Sequence, residues 1–192
     1  MIELDKDQQV KLLKLARNTI AEELGLDAGE RLEFNDAIYE EKCGAFVTLH
    51  VRGRLRGCIG YIKGVKNIPE TITDMAKASA FNDPRFPPLR KEEYGGIDIE
   101  ISVLSPIEPV ESVSEIKVGR DGLIISRGYN SGLLLPQVPT EQGWDLEMFL
   151  VNTCYKAGLP GSAWQQKGTK IEKFSAQVFG EKELGLIKEK SE

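Results

Sequence analysis

The sequence predicts an α+β protein in which an antiparallel sheet is packed by helices. The first observation is the alternation of apolar and polar residues in AFVTLHV, residues 45–51, and in IDIEISVLS, residues 97–105. The second is the helical spacing of apolar residues over 4–24 and 145–157. The third is the order of elements, because hairpins with helices set between them favour an antiparallel sheet over a doubly wound parallel one.

The chain is predicted to begin with a helix over residues 4–24. Asp5 is the expected N-cap, and Gln8 three residues later completes a capping box. The segments AFVTLHV and LRGCIGYI, separated by a short glycine-containing stretch, then predict the first β-hairpin.

A second helix is predicted from Pro69 to about Phe81, since proline is favoured in the first turn of a helix. The segment NDPRFPPLRKEEYGG, residues 82–96, follows it. Its prolines cannot lie inside a helix or a central strand, so a loop is expected there.

The second half of the chain predicts a further strand, hairpin, helix and strand. After the strand at 97–105, residues 122–136 indicate a hairpin that turns at 130–132. A helix over 145–157 and a last strand over 170–179 follow. The charged segment GEKELGLIKEKSE that ends the chain is expected to fray.

Composition is that of an ordinary globular protein and restricts the partners. The 192 residues carry a net charge of −5, and the sequence pI is about 5.2. Repulsion from phosphate backbones therefore disfavours a dedicated nucleic-acid binder, although a local basic patch is compatible with an acidic protein. No apolar run approaches the ~18 residues of a membrane span, and the N-terminus does not resemble a signal peptide.

The cysteines and the histidine count against disulfides and metal. Cys43, Cys58 and Cys154 are few, odd in number and far apart, which suits a reducing cytoplasm. His50 is the one histidine, and the chain has no C-x-x-C pair, so no zinc site built by this protein is expected. Without a phosphate-binding loop or a dinucleotide fingerprint, the sequence predicts no cofactor.

The register of the first hairpin brings chemically interesting residues together. A three-residue turn, residues 52–54, keeps the apolar residues of both strands on one face, whereas a two-residue turn exchanges the faces. This turn pairs Val51 with Leu55, and it also predicts several further pairs. These are Leu49 with Gly57, Val47 with Ile59, Thr48 with Cys58, and His50 with Arg56. Asp98 and Glu100 are expected to join the polar face if their strand lies alongside.

Three interpretations of Cys58 remain open. Nearby cations such as Arg56 lower the pKa of a thiol, which favours a nucleophilic thiolate with His50 as base or ion-pair partner. Alternatively, Cys58 belongs to a face lined by a ligand or a partner. The third interpretation is a small buried side chain that only packs.

Several segments together resemble one family, the AMME-syndrome chromosomal-region proteins, whose microbial members are also called AmmeMemoRadiSam system protein A. The segments are GAFVTLHVRGRLRGCIGYI, AFNDPRFPPL, EISVLSP and LLLPQVPTEQGWDLEMFLVNTCYKAGL. The resemblance implies a two-part α+β fold with a cleft between a larger and a smaller subdomain. Residues 1–108 with 166–192 would form the larger part and 109–165 the smaller. It also implies Memo-like and radical-SAM partner proteins.

The residues that match the family motifs are the candidates for the cleft. They are Arg56, Cys58, Asp83, Arg85, Gln137, Glu141, Trp144 and Asp145. Structural roles are the alternative: Asp83 can cap the break after a helix, Arg85 can pair with a carboxylate, and Trp144 and Asp145 can begin a helix.

Three functions follow from these observations. The first is a cytoplasmic accessory or binding protein, linked to a Memo and radical-SAM modification system. Its cleft would recognise an anionic small molecule, or a segment of a partner protein or RNA, through Arg56 and Arg85. The second is a thiol-dependent modification enzyme that uses Cys58 with His50 and Arg56. The third is a protein-interaction scaffold that exposes an apolar patch.

Overall fold

A computed structural model describes residues 3–187, and these residues divide into two units. Unit 1 comprises the described residues up to Leu104 together with those from Gln177 onward. Unit 2 comprises Ser105–Ala176. The α+β class predicted from the sequence is confirmed, because both units combine antiparallel strands with helices.

Unit 1 contains the first helices and the first hairpin. Its helical elements are α1 (Lys6–Glu23), a 3-10 turn (Ala37–Glu40), α2 (Ile68–Phe81) and α3 (Lys91–Tyr94). Its strands are β1 (Ala45–Val51), β2 (Arg54–Tyr61), β3 (Ile97–Leu104) and the last residues of β7 (Lys170–Gly180). Strand β1 lies between β2 and β3 and is antiparallel to both.

Alternation along the strands separates a core face from a polar face. Residues 45, 47 and 49 of β1 and residues 97, 99, 101 and 103 of β3 are apolar and buried. Helix α2 covers this face, packing on β1 and β2 and against α1. Helix α1 begins as predicted, because the Asp5 side chain accepts from the Gln8 N–H and the Gln8 side chain accepts from the Asp5 N–H.

The turn between β1 and β2 is shorter than the sequence predicted. Val51 pairs with Arg54, so the predicted pair of Val51 with Leu55 is wrong. The turn consists of Arg52 and Gly53, whose φ angles of 52° and 72° are both left-handed. Two-residue hairpins with positive φ at both central positions match the twist of the flanking strands, which explains why the shorter turn forms.

A β-bulge restores the face alternation that the short turn would otherwise reverse. His50 pairs with Leu55 and Leu49 pairs with Gly57, so Arg56 is the extra residue and its predicted pairing with His50 is wrong. Beyond the bulge the predicted register is confirmed. The confirmed pairs are Leu49 with Gly57, Thr48 with Cys58 and Val47 with Ile59.

Unit 2 contains the second hairpin and the helix after it. Its strands are β4 (Glu108–Pro109), β5 (Asp121–Arg127), β6 (Asn130–Leu134) and the first part of β7. Its helices are α4 (Gln137–Glu141) and α5 (Leu146–Lys156), with 3-10 turns at Val113–Glu115 and Ala163–Gln165. Strand β5 lies between β6 and β7 and is antiparallel to both, and β4 pairs with β7.

The second hairpin turns earlier than the predicted residues 130–132. Arg127 pairs with Asn130, so Gly128 and Tyr129 form the turn. Gly128 supplies the positive φ, 60°, that the turn requires. Gly132 stays in β6, where an added Cβ would lie 2.2 Å from the backbone nitrogen of Ala157.

The boundaries between the units also differ from the sequence-based division at 108/109 and 165/166. Unit 2 takes in residues 105–108 and 166–176, because the first part of β7 pairs with β5 from Lys170 to Ser175. The segment that was expected to fray is packed at its start. Glu181 is buried and Leu184 packs against the core of unit 1, while residues 188–192 lie outside the described residues.

Between residues 3 and 187, no helix is long and apolar enough to cross a membrane.

Candidate functional site

The break after α2 places two charged side chains against strand β2. The Asp83 carboxylate is buried and accepts a hydrogen bond from the backbone N–H of Cys58, at 2.9 Å. The Arg85 guanidinium donates to both Asp83 oxygens, from Nε at 3.0 Å and from Nη2 at 2.7 Å. Its Nη2 also donates to the carbonyl oxygen of Cys58, at 3.2 Å. We call Asp83 and Arg85 the Cys58 clamp.

The clamp takes the place of a neighbouring strand. Among the described strands of unit 1, β2 is at the end of the order, with β1 as its neighbour. In antiparallel pairs, alternate residues point both backbone groups away from the partner strand. Cys58 is such a residue, since its N–H and C=O reach the clamp. The clamp therefore closes an otherwise open sheet edge at this residue.

Charge pairing keeps the clamp ionised. The hydrogen bonds from Arg85 are the largest cause that holds the pKa of the Asp83 carboxyl well below its usual range. Burial opposes this shift, and the backbone N–H groups of Cys58 and Arg85 reinforce it. The Asp83 carboxylate is therefore charged at neutral pH although it is buried.

Arg56 is held by a second carboxylate, which the sequence did not indicate. The Glu93 oxygens accept from Arg56 Nε at 2.8 Å and from Nη2 at 3.2 Å. The backbone N–H of Arg90 also donates to Glu93, at 3.0 Å. The pairing with Arg56 is the largest cause that lowers the pKa of Glu93. Arg56 is 12% exposed, and its Nη1 is buried without a hydrogen-bond partner among the described residues.

Phe86 lies beside both guanidinium groups. The Arg56 Cζ is 5.9 Å and the Arg85 Cζ is 5.5 Å from the centroid of the ring. These distances fall within the range of cation–π attraction. Each guanidinium thus has its Nε–Nη2 edge fixed by a carboxylate and its position supported by the same ring. We call Arg56, Phe86 and Arg85 the Arg–Phe–Arg site.

The Cys58 side chain lies on the polar face of the sheet. The Thr48 hydroxyl donates to Cys58 Sγ at 3.3 Å. Burial, the largest cause, raises the pKa of the Cys58 thiol above its ordinary value, and Asp83 and Glu100 act in the same direction. The hydrogen bond from Thr48 and the charge of Arg85 lower the pKa of the thiol, but their effect is smaller than that of burial. The thiol is therefore the dominant form at neutral pH.

The register also places the other polar residues of this face. Glu100 lies opposite Thr48 and Asp98 lies opposite His50, so the expected alignment of β3 is confirmed. His50 lies between Asp98 and Leu55, and not opposite Arg56. In residues 3–187, no three His, Cys, Asp or Glu side chains come together as metal ligands.

The remaining candidates lie in unit 2, around the short connection between α4 and α5. Gln137 begins α4, and its Oε1 is buried without a hydrogen-bond partner among the residues described. Glu141 is exposed, and Trp144 packs against the core of unit 2. Asp145 caps α5 by accepting from the Met148 N–H at 2.8 Å, which is the structural alternative foreseen for it. The predicted cleft remains a prediction.

Glu93 and Phe86 are functional candidates that sequence reasoning missed. Both residues lie in the segment 82–96, for which the sequence predicts only a loop. No signal in the sequence identifies the pair, because Arg56 is expected on the polar face and only the fold shows that its side chain is buried.

We expect alkylation of Cys58 by iodoacetamide to titrate at a higher pH than alkylation of the same cysteine in the unfolded chain. Thr48→Val should raise the midpoint further, because it removes the hydroxyl that stabilises the thiolate. Mass spectrometry that resolves each cysteine gives the measurement. Thr19→Val is the matched control, since the Thr19 hydroxyl bonds only to its own helix. A midpoint below the ordinary value of ~8.5 would contradict the burial argument.

Fold and site together define a two-unit α+β protein with an arginine-lined site on an edge strand. A model of the AMMECR1 family matches residues 13–179. The chain belongs to the AMMECR1 family, which confirms the resemblance seen in the sequence.

Individual relatives agree with this assignment. The chain is 46% identical over 185 residues to a protein of Methanothermobacter thermautotrophicus, covering 93% of this chain and 96% of the relative. It is 46% identical over 193 residues to protein PH0010 of Pyrococcus horikoshii, covering 93% of each. The crystal structure of the uncharacterized protein PH0010 superposes with a TM-score of 0.81 and 44% identity, covering 91% of each chain.

Proposed function

We propose that this protein is a binding module that recognises an anionic group, phosphate or carboxylate, at the Arg–Phe–Arg site. One observation carries the proposal. The guanidinium groups of Arg56 and Arg85 lie within 5.9 Å and 5.5 Å of one phenylalanine ring, and Arg56 Nη1 is buried with no described partner. A buried donor without an acceptor is costly, and an anion would satisfy it.

The two carboxylates orient the guanidinium groups. Asp83 and Glu93 each occupy the Nε–Nη2 edge of one arginine, in the fork geometry typical of arginine–carboxylate pairs. The Arg85 side chain remains 53% exposed. A ligand would therefore meet donors whose rotamers are already fixed, which reduces the entropy lost on binding.

The state of Cys58 supports binding over thiol catalysis. A thiol-dependent enzyme requires a depressed thiol pKa, and burial raises the pKa of Cys58. The base proposed for that enzyme, His50, is paired with Leu55 and not with Arg56. In the binding interpretation, Cys58 supplies the backbone groups that anchor the clamp.

The accessory role and its setting are part of the proposal. The resemblance to AmmeMemoRadiSam system proteins predicts a cytoplasmic protein with Memo-like and radical-SAM partners. Exposed Tyr61 ends strand β2, and exposed Ile62 and Val65 follow it; the three side chains would suit contact with such a partner. Co-purification of the Memo-like or the radical-SAM protein with the tagged chain tests the link. Retention should fall when Ile62 and Val65 are replaced by serine.

Calorimetric titration with inorganic pyrophosphate and with citrate tests the anion site. We expect Arg85→Lys to weaken binding of the better probe about tenfold or more, because hydrogen bonds to charged groups contribute about 1.5–3 kcal/mol. Lysine keeps a cation beside the buried Asp83 but lacks the planar fork. Phe86→Leu should weaken binding to a smaller degree, because it removes the aromatic face and keeps most of the volume.

Arg31→Lys is the matched control, because Arg31 is exposed in the loop after α1. It should leave the affinity unchanged. Thermal unfolding of each variant separates loss of binding from loss of folding. Equal affinities of the wild type, Arg85→Lys and Phe86→Leu proteins would refute the assignment of the site.

A further inference from the structure

Unit 2 carries a second concentration of positive charge, distinct from the Arg–Phe–Arg site. The stretches 122–140 and 148–171 contain no acidic residue, although the whole chain has a net charge of −5. They contain four basic residues, Arg127, Lys156, Lys167 and Lys170. All four are exposed.

The fold brings these four residues to one end of unit 2. Arg127 ends β5 at the hairpin turn, where its Nη1 donates to the side-chain oxygen of Gln166, next to Lys167. Lys170 begins β7 and pairs with Ser126, the neighbour of Arg127. The first acidic residue along β7 is Glu172, two positions further on.

Lys156 reaches the same end through helix α5. The Asn130 side chain, beside the hairpin turn, donates to the carbonyl oxygen of Gly158 at 3.3 Å. Gly132 of β6 lies against the backbone at the end of α5, where an added Cβ would be 2.5 Å from the carbonyl carbon of Lys156. The end of α5 therefore packs directly on the hairpin that carries Arg127.

Two exposed tyrosines accompany the basic residues. Tyr129 occupies the turn of the hairpin and is fully exposed, and Tyr155 precedes Lys156 and is 62% exposed. Neither ring is needed to fill a core. We call Arg127, Tyr129, Tyr155, Lys156, Lys167 and Lys170 the basic end of unit 2.

We propose that the basic end of unit 2 binds single-stranded nucleic acid. Lysine and arginine neutralise the phosphates of a strand, and exposed aromatic rings provide faces on which unpaired bases stack. The bases of a duplex are already stacked on one another, whereas unpaired bases have free faces that the exposed rings of Tyr129 and Tyr155 can cover. The tyrosines distinguish this partner from an acidic protein segment, for which the charges alone would suffice.

Fluorescence anisotropy with a 5′-labelled, 12-nucleotide RNA of mixed sequence tests the proposal on the full chain. Contacts to two to four phosphates predict a slope of log K against log salt of about −1.4 to −2.8. Affinity should therefore fall about 7- to 50-fold between 50 and 200 mM salt. Lys156→Gln combined with Lys167→Gln should reduce the steepness of the slope by about 1.4. Tyr129→Ala should weaken binding about fivefold or more.

Matched controls come from exposed residues of unit 1. Lys14→Gln with Lys63→Gln makes the same change in net charge, and Tyr61→Ala removes an exposed tyrosine. Binding that is undetectable at 50 mM salt, or that falls equally in the control variants, would overturn the proposal. Polyglutamate that binds as tightly as the RNA, with Tyr129→Ala affecting neither, would assign the surface to an acidic protein partner instead. Loss of RNA binding with Arg85→Lys alone would assign the RNA to the Arg–Phe–Arg site.

Discussion

Gly57→Ala is expected to destabilise the protein by about 3 kcal/mol. An added Cβ at Gly57 would lie 2.1 Å from the backbone oxygen of Ser79 and 3.0 Å from its carbonyl carbon. Ser79 belongs to helix α2, whose backbone cannot yield as a flexible side chain can. Strand β2 or helix α2 must shift, and a shift of β2 also displaces Cys58 and the neighbouring Arg56. Urea unfolding measures the loss, and the pyrophosphate titration should show weaker binding at the same time.

Gly95→Ala is the matched control for this substitution. Gly95 has a φ of −69°, and no atom outside its immediate neighbours lies within 4 Å of an added Cβ. The free energy of unfolding of the Gly95→Ala protein should stay within about 0.5 kcal/mol of the wild-type value. Equal effects of the two substitutions would show that close contact between β2 and α2 is not what requires glycine at position 57.

Arg17→Met is expected to cost about 3–5 kcal/mol, because it leaves the charge of Glu181 buried without its partner. The Glu181 side chain is 3% exposed. Arg17 donates from Nε and, at 2.6 Å, from Nη2 to the two Glu181 oxygens, and Nη2 also donates to the Ile97 carbonyl at 2.9 Å. The Ile99 N–H donates to Glu181 at 2.9 Å. The pair thus ties helix α1 to strand β3 and to the chain after β7.

A double-mutant cycle separates the pair from its surroundings. Glu181→Leu added to Arg17→Met should recover part of the lost stability, because no uncompensated charge then remains buried. Lys77→Met is the control, since Lys77 pairs with Glu23 on the surface and both side chains are 43% exposed. That substitution should cost at most about 1 kcal/mol. Additive effects of the two substitutions at positions 17 and 181 would contradict the account.

Local patterns explain what the sequence predicted correctly. A helix cap depends on residues that lie close together in the chain. The pairing of Thr48 with Cys58 depends on the alternation of apolar and polar residues along each strand. The hairpin turn was wrong for a definite reason. The apolar residues of both strands share one face if the turn has three residues, or if it has two residues and a bulge follows. The alternation of apolar and polar residues is the same in both cases and does not distinguish them.

Non-local charge pairs explain most of what the sequence missed. Pairing of Arg85 with a carboxylate was among the alternatives foreseen, and its partner Asp83 lies only two residues away. Glu93 lies 37 residues from Arg56, and Glu181 lies 164 residues from Arg17. No periodicity links such distant residues, so only the folded chain reveals the partners.

The segment LRGCIG gains a physical explanation from the contacts of its residues. Arg56 is the bulge residue and is held by Glu93. Gly57 has no side chain and therefore lets the backbone of helix α2 pack closely on the strand. Cys58 offers its backbone to the clamp. Gly60 lies beneath Phe46, where an added Cβ would be 2.3 Å from the ring. The contacts of Arg56 and Cys58 build the candidate site. The two glycines set the position of the strand that carries it.

Nitrogen-15 NMR of the arginine Nε–H groups during titration with pyrophosphate tests the central claim most directly. We expect the signals of Arg56 and Arg85 to shift together and to saturate at one ligand concentration, while the Arg31 signal does not move. Phe86→Leu should reduce the affinity read from both signals. Saturable binding with unchanged Arg56 and Arg85 signals would contradict the claim, because the anion would then lie elsewhere on the protein.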